Sequence, residues 1–185
     1  MENYILFNQN TFRIELQIMD DIVDYYSNIC IRLIGENNIY EILNDNIYFL
    51  KNIKEMYSVD IEKYEIDARI LEQKLGVLQN EYYYCLNENI SNKDIIMDEN
   101  DEWIGEKYCC FTTSEYSTWL YKKGGKFYLM VTPMFRYFDE ENNRELYLEF
   151  INEYRNIFFS EILLEQLEKI CDIIEKIYQQ AVTPQ

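Results

Sequence analysis

The stretch of residues 117–133 constrains the fold of this chain more than any other. It contains two runs of aromatic and β-branched residues on either side of Gly124 and Gly125. Glycine takes the positive φ of a tight hairpin turn without steric cost, so the pattern predicts a β-hairpin. Both faces of this hairpin are largely apolar and need cover from strands or helices. We therefore predict that the hairpin lies at the centre of a sheet.

The register of the predicted hairpin follows from pairing Lys123 with Lys126 across the turn. Residues directly opposite each other in an antiparallel pair place their side chains on the same face. Pro133 lacks the N–H that a strand ladder requires and should end the regular pairing. The predicted pairs are Lys123–Lys126, Tyr121–Tyr128, Trp119–Met130, Leu120–Leu129 and Thr118–Val131.

Other strands and loops are indicated by alternation and polarity. Apolar and polar residues alternate over residues 12–18 and 28–34, which predicts two early strands. Residues 103–113 predict the strand that precedes the hairpin. Residues 87–102 are the most polar part of the chain and predict a surface loop, and a second charged loop is predicted at 139–144.

Helices are indicated by apolar residues spaced three and four apart. This spacing predicts a helix over residues 40–57. Residues 60–79 also have helical composition, and the tyrosines at 82–84 fit either a continued helix or a strand. Leucine and isoleucine recur at the helical spacing over residues 161–180, with Ser160 as N-cap. We expect this last helix to pack across the sheet that contains the hairpin.

Together these elements predict an α+β fold. The sheet is mostly antiparallel, with the central hairpin at about 117–133, and the helices that cover it include a C-terminal amphipathic helix at about 161–180. A chain of 185 residues is long enough to bury a substantial core. We expect a single domain over residues 1–185.

The charge of the chain limits its partners. It has 34 acidic and 17 basic residues, and its formal net charge is −17. This negative field repels nucleic acids and anionic lipids, and it attracts a basic protein. Such a charge also serves solubility alone, and that reading stays open. We expect no direct nucleic-acid binding, no membrane association and a basic protein as partner.

Several kinds of catalytic chemistry are excluded by the residues themselves. The chain has no histidine, which excludes Ser-His-Asp and Cys-His catalysis and histidine-bound zinc. No glycine-rich phosphate loop is present. Five cysteines without a C-x-x-C motif are typical of a reducing compartment. We therefore predict a protein that is not an enzyme and needs no cofactor.

A metal site is not expected either. Residues 98–109 place oxygen ligands at the first, third and fifth positions of a calcium loop, but Trp103 and Cys109 stand where glycine and glutamate are needed. Acidic residues near 20–24 and at 140–141 leave open a magnesium or paired acid/base site. Clusters of this kind are usually solvated faces in so acidic a chain.

The N-terminal sequence predicts a cytoplasmic protein. It reads M-E-N-Y-I-L-F and lacks the basic segment and the apolar stretch of a secretory signal. No run of the chain approaches the roughly eighteen apolar residues of a membrane span.

A resemblance to a known family lies in the C-terminal part of the chain. The run W-L-Y-K-K-G-G-K-F-Y-L-M-V-T-P-M-F from Trp119, with the acidic loop and the amphipathic helix that follow, resembles small immunity proteins encoded beside bacterial polymorphic or contact-dependent toxins. The resemblance implies a cytosolic α+β protein that binds and blocks a cognate toxin.

The predicted binding surface combines carboxylates with aromatic side chains. The chain has 18 tyrosines, a residue type enriched at interface hot spots, although most single tyrosines are also explained as core residues. Tyr82 and Tyr83 are candidates because they lie near the acidic loops in sequence. The predicted partner-binding residues are Asp98, Glu99, Asp101, Glu102, Trp103, Tyr137, Asp139, Glu140 and Glu141.

Three functions fit these observations. The leading hypothesis is an immunity protein that neutralises a cognate toxin domain through an acidic, tyrosine-containing surface. The alternative is a phage-encoded inhibitor that mimics nucleic acid and blocks a host nuclease or a CRISPR effector, and it predicts strong salt sensitivity. The third is a carboxylate–metal enzyme, which only the acidic clusters suggest. The target and the oligomeric state are left open.

Overall fold

A computed structural model describes residues 2–9, 11–51, 64–137 and 143–182. The chain forms two compact units, Met1–Lys63 together with Ile162–Gln185, and Tyr64–Glu161. Within the described residues there are two four-stranded sheets and three α-helices, which confirms the α+β fold. The single domain expected from the sequence stays a prediction.

The bounds of the elements are as follows. The strands are β1 (Glu2–Gln9), β2 (Phe12–Ile18), β3 (Asn28–Ile34), β4 (Ile39–Asn46), β5 (Cys109–Thr112), β6 (Tyr116–Lys123), β7 (Lys126–Pro133) and β8 (Phe158–Ile162). The α-helices are α1 (Leu75–Glu88), α2 (Arg144–Glu153) and α3 (Leu164–Val182). Short 3-10 helices are formed by Ile47–Phe49, Glu72–Lys74 and Glu106–Tyr108. No helix within the described residues is long and apolar enough to cross a membrane.

The sheet of the first unit has the spatial order β1-β2-β3-β4, and each strand is antiparallel to the next. Alternation along β2 buries Ile14, Leu16 and Ile18 on one face. The strands predicted at residues 12–18 and 28–34 are confirmed as β2 and β3.

The helix predicted over residues 40–57 is wrong at residues 40–46, because Ile39–Asn46 forms β4, whereas the described residues 47–51 are helical and begin with the 3-10 helix Ile47–Phe49. A β-bulge explains the error. Leu43 pairs with Ile31 and Glu41 pairs with Arg32, so Ile42 is the extra residue. Ile42 and Leu43 are both buried, and this breaks the alternation that identifies a strand. Residues 52–63 of the predicted helices lie outside the described residues.

The amphipathic C-terminal helix predicted at about residues 161–180 is confirmed as α3. It packs on β1 and on the 3-10 helix Ile47–Phe49 of the first unit. The prediction that it packs across the hairpin sheet is therefore wrong, because an apolar stripe identifies the buried face of a helix but not the sheet that covers it. Ser160 is not the N-cap, since it lies in β8. Instead, the Leu163 N–H donates to Oε1 of Gln166 at 2.8 Å.

The second unit contains the hairpin, and its sheet has the order β5-β6-β7-β8. The predicted hairpin β6–β7 is central, as expected, and all five predicted residue pairs are confirmed. Gly124 has φ 58° and Gly125 has φ 81°, the two positive values that a type I′ turn requires. The strand predicted at residues 103–113 is shorter than expected, since β5 covers only Cys109–Thr112.

The core of the second unit is built around two tryptophans. The rings of Trp103 and Trp119 meet edge to face with 6.0 Å between centroids, and both are buried. Tyr108 is buried beside them, donates to the Glu65 carbonyl at 2.9 Å and accepts from the Asp67 N–H at 2.8 Å. The Tyr108 hydroxyl therefore both donates and accepts a hydrogen bond.

Helix α1 begins later than the helical composition predicts. It starts at Leu75, after the 3-10 helix Glu72–Lys74, and continues through the three tyrosines to Glu88. Gly76 is buried in its first turn, where an added Cβ would overlap the hydroxyls of Tyr154 and Thr132. The glycine therefore permits the close approach of α1 to β7.

Candidate functional site: an acidic, tyrosine-containing face

Helix α1 positions the tyrosines of the predicted surface. The buried side chains of Leu75, Gln79 and Asn80 hold its first half within the unit. Further along, Tyr82 and Tyr83 are half-buried and Leu86 is 58% exposed. The second half of the helix therefore presents aromatic and aliphatic side chains at the surface.

Tyr82 rests on the core of the unit. Its ring stacks on Trp103 with 6.1 Å between centroids and 30° between planes, and it lies 5.5 Å from the ring of Tyr83. Trp103 itself is only 2% exposed, so the prediction that it contacts a partner is wrong. The bridge between Met97 and Trp103 closes the acidic loop and turns the indole inward. The ring of Tyr82 therefore packs on a side chain of the core.

The acidic loop Asp98–Glu102 is an ordered turn. Oδ1 of Asp98 accepts the N–H of Asn100 at 2.8 Å and the N–H of Glu102 at 3.0 Å, and the Asp98 N–H donates to the Glu102 carbonyl at 2.8 Å. These hydrogen bonds lower the pKa of Asp98. Asp98 thus shapes the loop, while Glu99, Asp101 and Glu102 are exposed at its tip.

Glu102 of the loop raises the pKa of neighbouring groups. Partial desolvation and the neighbouring Glu102 raise the pKa of Glu106. Burial together with the charges of Glu106 and Glu102 raises the pKa of Tyr82, and burial together with Glu106 raises the pKa of Tyr83 to about 12. The structure thus brings Tyr82 close to Glu102 of the predicted loop, and Tyr83 close to Glu106.

A second pair of carboxylates consists of Glu81 on the same helix and Asp94 in the segment that follows it. Burial, and then the charge of Asp94, raise the pKa of the half-buried Glu81, which accepts a hydrogen bond of 3.2 Å from Nδ2 of Asn92. Residues 81–106 contain only one basic residue, Lys93. Their acidic residues are Glu81, Glu88, Asp94, Asp98, Glu99, Asp101, Glu102 and Glu106.

Tyr137 lies in the wall of a pocket. It is half-buried, its hydroxyl donates to the Asn80 carbonyl, and its ring lies 6.3 Å from that of Tyr83. Burial raises the pKa of this phenol far above its ordinary value. The other predicted residues of this second loop, Asp139, Glu140 and Glu141, lie outside the described residues.

Two pockets flank Leu86, and the sequence does not predict either of them. The larger has a volume of about 600 Å³, and its apolar wall includes Tyr83, Leu86, Phe135 and Tyr137. The smaller has a volume of about 200 Å³. Its lining includes Tyr82, Leu86, Ile90, Ile95 and Met97. The short apolar interruption at residues 95–97 of the polar stretch is the signal that could have identified the smaller pocket.

The thiol of Cys109 is not activated. Burial raises the pKa of Cys109 to about 11, so this thiol is protonated at neutral pH and is a poor nucleophile. In the described ranges, no group of three or more acidic or cysteine side chains could hold a metal ion. No disulfide joins the described cysteines.

No protein-family model, curated protein or solved structure matches this chain. The resemblance to immunity proteins therefore stays a prediction.

Proposed function

We propose that this chain is a non-enzymatic immunity protein, which binds a basic toxin domain and neutralises it through the acidic, tyrosine-containing face. One observation carries the proposal: like-charged carboxylates, Glu81 of α1 with Asp94 and Glu102 with Glu106, occur together with the half-buried tyrosines and the exposed Leu86 of α1.

The carboxylate pairs favour a cationic partner. In each pair, the two carboxylates repel each other in the isolated protein. A lysine or arginine that binds between them would be attracted to both. The negative field over the whole face also raises the rate of association with a basic protein. A toxin that must be blocked quickly would select for such a rate.

The aromatic residues favour a protein partner. Tyrosines supply large, rigid contact area, and the stack of Tyr82 on the buried Trp103 fixes one of them before binding. The alternative, a mimic of nucleic acid, is supported by the same carboxylates. The exposed aliphatic side chains of Leu86 and Ile90 between them favour a protein over a nucleic-acid channel.

The test is protection of cells that express the product of the adjacent gene as the toxin. The double variant Glu99→Lys/Glu102→Lys should lose protection, and its association with the purified toxin should slow and lose salt dependence. The double variant Glu165→Lys/Glu168→Lys changes the charge equally on exposed positions of α3 and should protect like the wild type. Equal loss in both variants would show that net charge matters and that this face does not.

A further inference from the structure

Leu86 forms a ridge between two pockets of different lining. On one side, the aromatic rings of Tyr83, Phe135 and Tyr137 line the larger pocket. On the other side, the aliphatic side chains of Ile90 and Met97 line the smaller pocket. Leu86 belongs to both walls and is 58% exposed. The two pockets are therefore adjacent and open at the same surface.

The larger pocket is held open by a hydrogen-bond network. The Phe135 N–H donates to Oδ1 of the buried Asn80 at 2.7 Å, and Tyr137 donates to the Asn80 carbonyl. Phe135 also meets Tyr147 edge to face, with 5.4 Å between centroids. A wall fixed in this way loses little conformational entropy when a side chain enters.

The smaller pocket is shaped by the end of α1. Asn89 adopts the left-handed conformation, with φ 54°, and ends the helix. The chain then turns back, and the Ile90 N–H donates to the Cys85 carbonyl at 3.0 Å. This turn places Ile90 beside Leu86 at the pocket mouth, although its side chain is 54% exposed.

Exposed carboxylates lie next in sequence to residues that line the smaller pocket, and Arg136 in the lining of the larger pocket is paired with Glu115. Glu88 is exposed near the end of α1, Asp94 is exposed in the segment between Ile90 and Ile95, and Asp98 follows Met97 directly. A second copy of this chain would bring two such acidic rims together, and their repulsion opposes a homodimer. The charge is complementary to a basic segment.

We propose that the two pockets beside Leu86 bind two large apolar side chains of one cationic amphipathic segment of the partner, an aromatic one in the larger pocket and an aliphatic one in the smaller. Rings favour the aromatic-lined pocket because they meet other rings edge to face or offset. Lysine or arginine residues of the segment then meet the acidic rim. The inference rests on the proposed function and names the anchor of its interface.

The first test uses synthetic peptides with the full chain. A helical peptide of tryptophan, leucine and lysine should bind saturably and shift the methyl resonances of Leu86, Ile90 and Met97. A peptide with the same number of lysines, but with serine in place of tryptophan and leucine, should bind at least about tenfold more weakly, because it lacks hot-spot anchors. Equal binding of both peptides would overturn the proposal.

The second test removes the ridge. Leu86→Asn should weaken binding of the tryptophan-containing peptide by about tenfold. The matched control is Leu148→Asn, since Leu148 lies in α2 of the same unit and is 50% exposed. Urea unfolding should show that both variants are folded. If Leu86→Asn binds the peptide as tightly as the control, the pockets are not the anchor.

The toxin assay separates this inference from the proposed function. Leu86→Asn should speed dissociation of the toxin, whereas charge reversal at Glu99 and Glu102 should slow association. Protection that depends on the loop carboxylates but not on Leu86 would overturn the inference and leave the proposed function standing. A wild-type chain that does not protect overturns the proposed function, while the peptide result still decides whether the pockets bind a cationic amphipathic segment.

Discussion

The backbone N–H of Phe135 donates a hydrogen bond of 2.7 Å to Oδ1 of Asn80 and so joins the segment after β7 to helix α1. Nδ2 of Asn80 donates to the Gly76 carbonyl at 2.8 Å and to the Pro133 carbonyl at 3.1 Å. The Asn80 side chain is fully buried. One amide thus fixes the helix that carries the tyrosines against the segment that forms the wall of the larger pocket.

Replacing Asn80 by leucine should destabilise the protein and loosen the larger pocket. The substitution preserves the approximate size of the side chain but leaves the Phe135 N–H and the Pro133 carbonyl without this partner. The expected loss is about 2 kcal/mol in the free energy of unfolding. Urea unfolding measures it. Asn87→Leu, at an exposed position of the same helix, should change stability by less than about 0.5 kcal/mol, and similar losses in the two variants would contradict the role of Asn80.

Gly76→Ala should also destabilise the protein, although alanine favours helices by about 1 kcal/mol over glycine. The added methyl group would overlap the hydroxyls of Tyr154 and Thr132, and overpacking of this kind costs about 1–3 kcal/mol. A double-mutant cycle checks the cause. Tyr154→Phe removes one of the two hydroxyls, so the loss from Gly76→Ala should be smaller in that background. An unchanged loss would exclude Tyr154 as the obstacle.

Much of the second sheet could be predicted from the sequence, because two adjacent glycines and the alternation on both sides fix the register of the hairpin. The first sheet was predicted only where alternation is unbroken, in β2 and β3. The sequence does not predict β1, for the same reason that it predicts a helix in place of β4. A register shift between Ile5 and Phe7 leaves the neighbours Leu6 and Phe7 both buried, and such a bulge hides the strand period.

The candidate site could be predicted only in part. The exposed carboxylates of the loop follow from its polarity, and Tyr82 does lie close to Glu102. The sequence places Trp103 at the end of the acidic loop and so predicts it at the surface. In the structure it forms a bridge with Met97, and its side chain is buried in the core. The pockets beside Leu86 depend on Asn80 and on contacts between segments far apart in the chain, which no local pattern encodes.

Turn geometry at the hairpin should discriminate between its two glycines. Both have positive φ, and a Cβ at either would meet open space, so any loss comes from backbone strain alone. Gly124→Asn should be nearly neutral, because asparagine tolerates the left-handed region and Asn-Gly is a favoured type I′ pair. Gly125→Val should lower the free energy of unfolding by about 1–2 kcal/mol. Thermal unfolding compares the two variants, and equal midpoints would mean that the turn has another geometry.

Glu106→Gln should stabilise the protein at neutral pH. The folded protein raises the pKa of Glu106 above its reference value of 4.5, so the folded state binds the proton more tightly than the unfolded state. Stability is therefore greatest below the unfolded pKa and falls as the pH rises through the higher folded pKa. The gain from glutamine should be less than about 1 kcal/mol, because the carboxyl is solvent-exposed.

Urea unfolding at pH 7 and pH 4 checks this prediction. The advantage of Glu106→Gln over the wild type should be present at pH 7 and should disappear at the lower pH, where the wild-type carboxyl is protonated as well. Glu149→Gln, at an exposed position of α2, removes the same charge elsewhere in the unit and serves as the control. An advantage that persists unchanged at pH 4 would mean that the charge of Glu106, disfavoured by burial and by Glu102, is not its cause.

Asp98→Ala should release the acidic loop while leaving its other carboxylates in place. Oδ1 of Asp98 holds the amides of Asn100 and Glu102, so both should exchange their hydrogens faster in the variant. Asp98→Asn keeps an oxygen acceptor and should retain slower exchange.

Because the folded state lowers the pKa of Asp98 below 3.8, the wild-type loop should hold its order above that value and lose it only as the pH falls through the lowered pKa. Exchange that is equally slow in alanine and asparagine variants would show that the backbone alone maintains the turn, and the position of the exposed carboxylates would then not depend on Asp98.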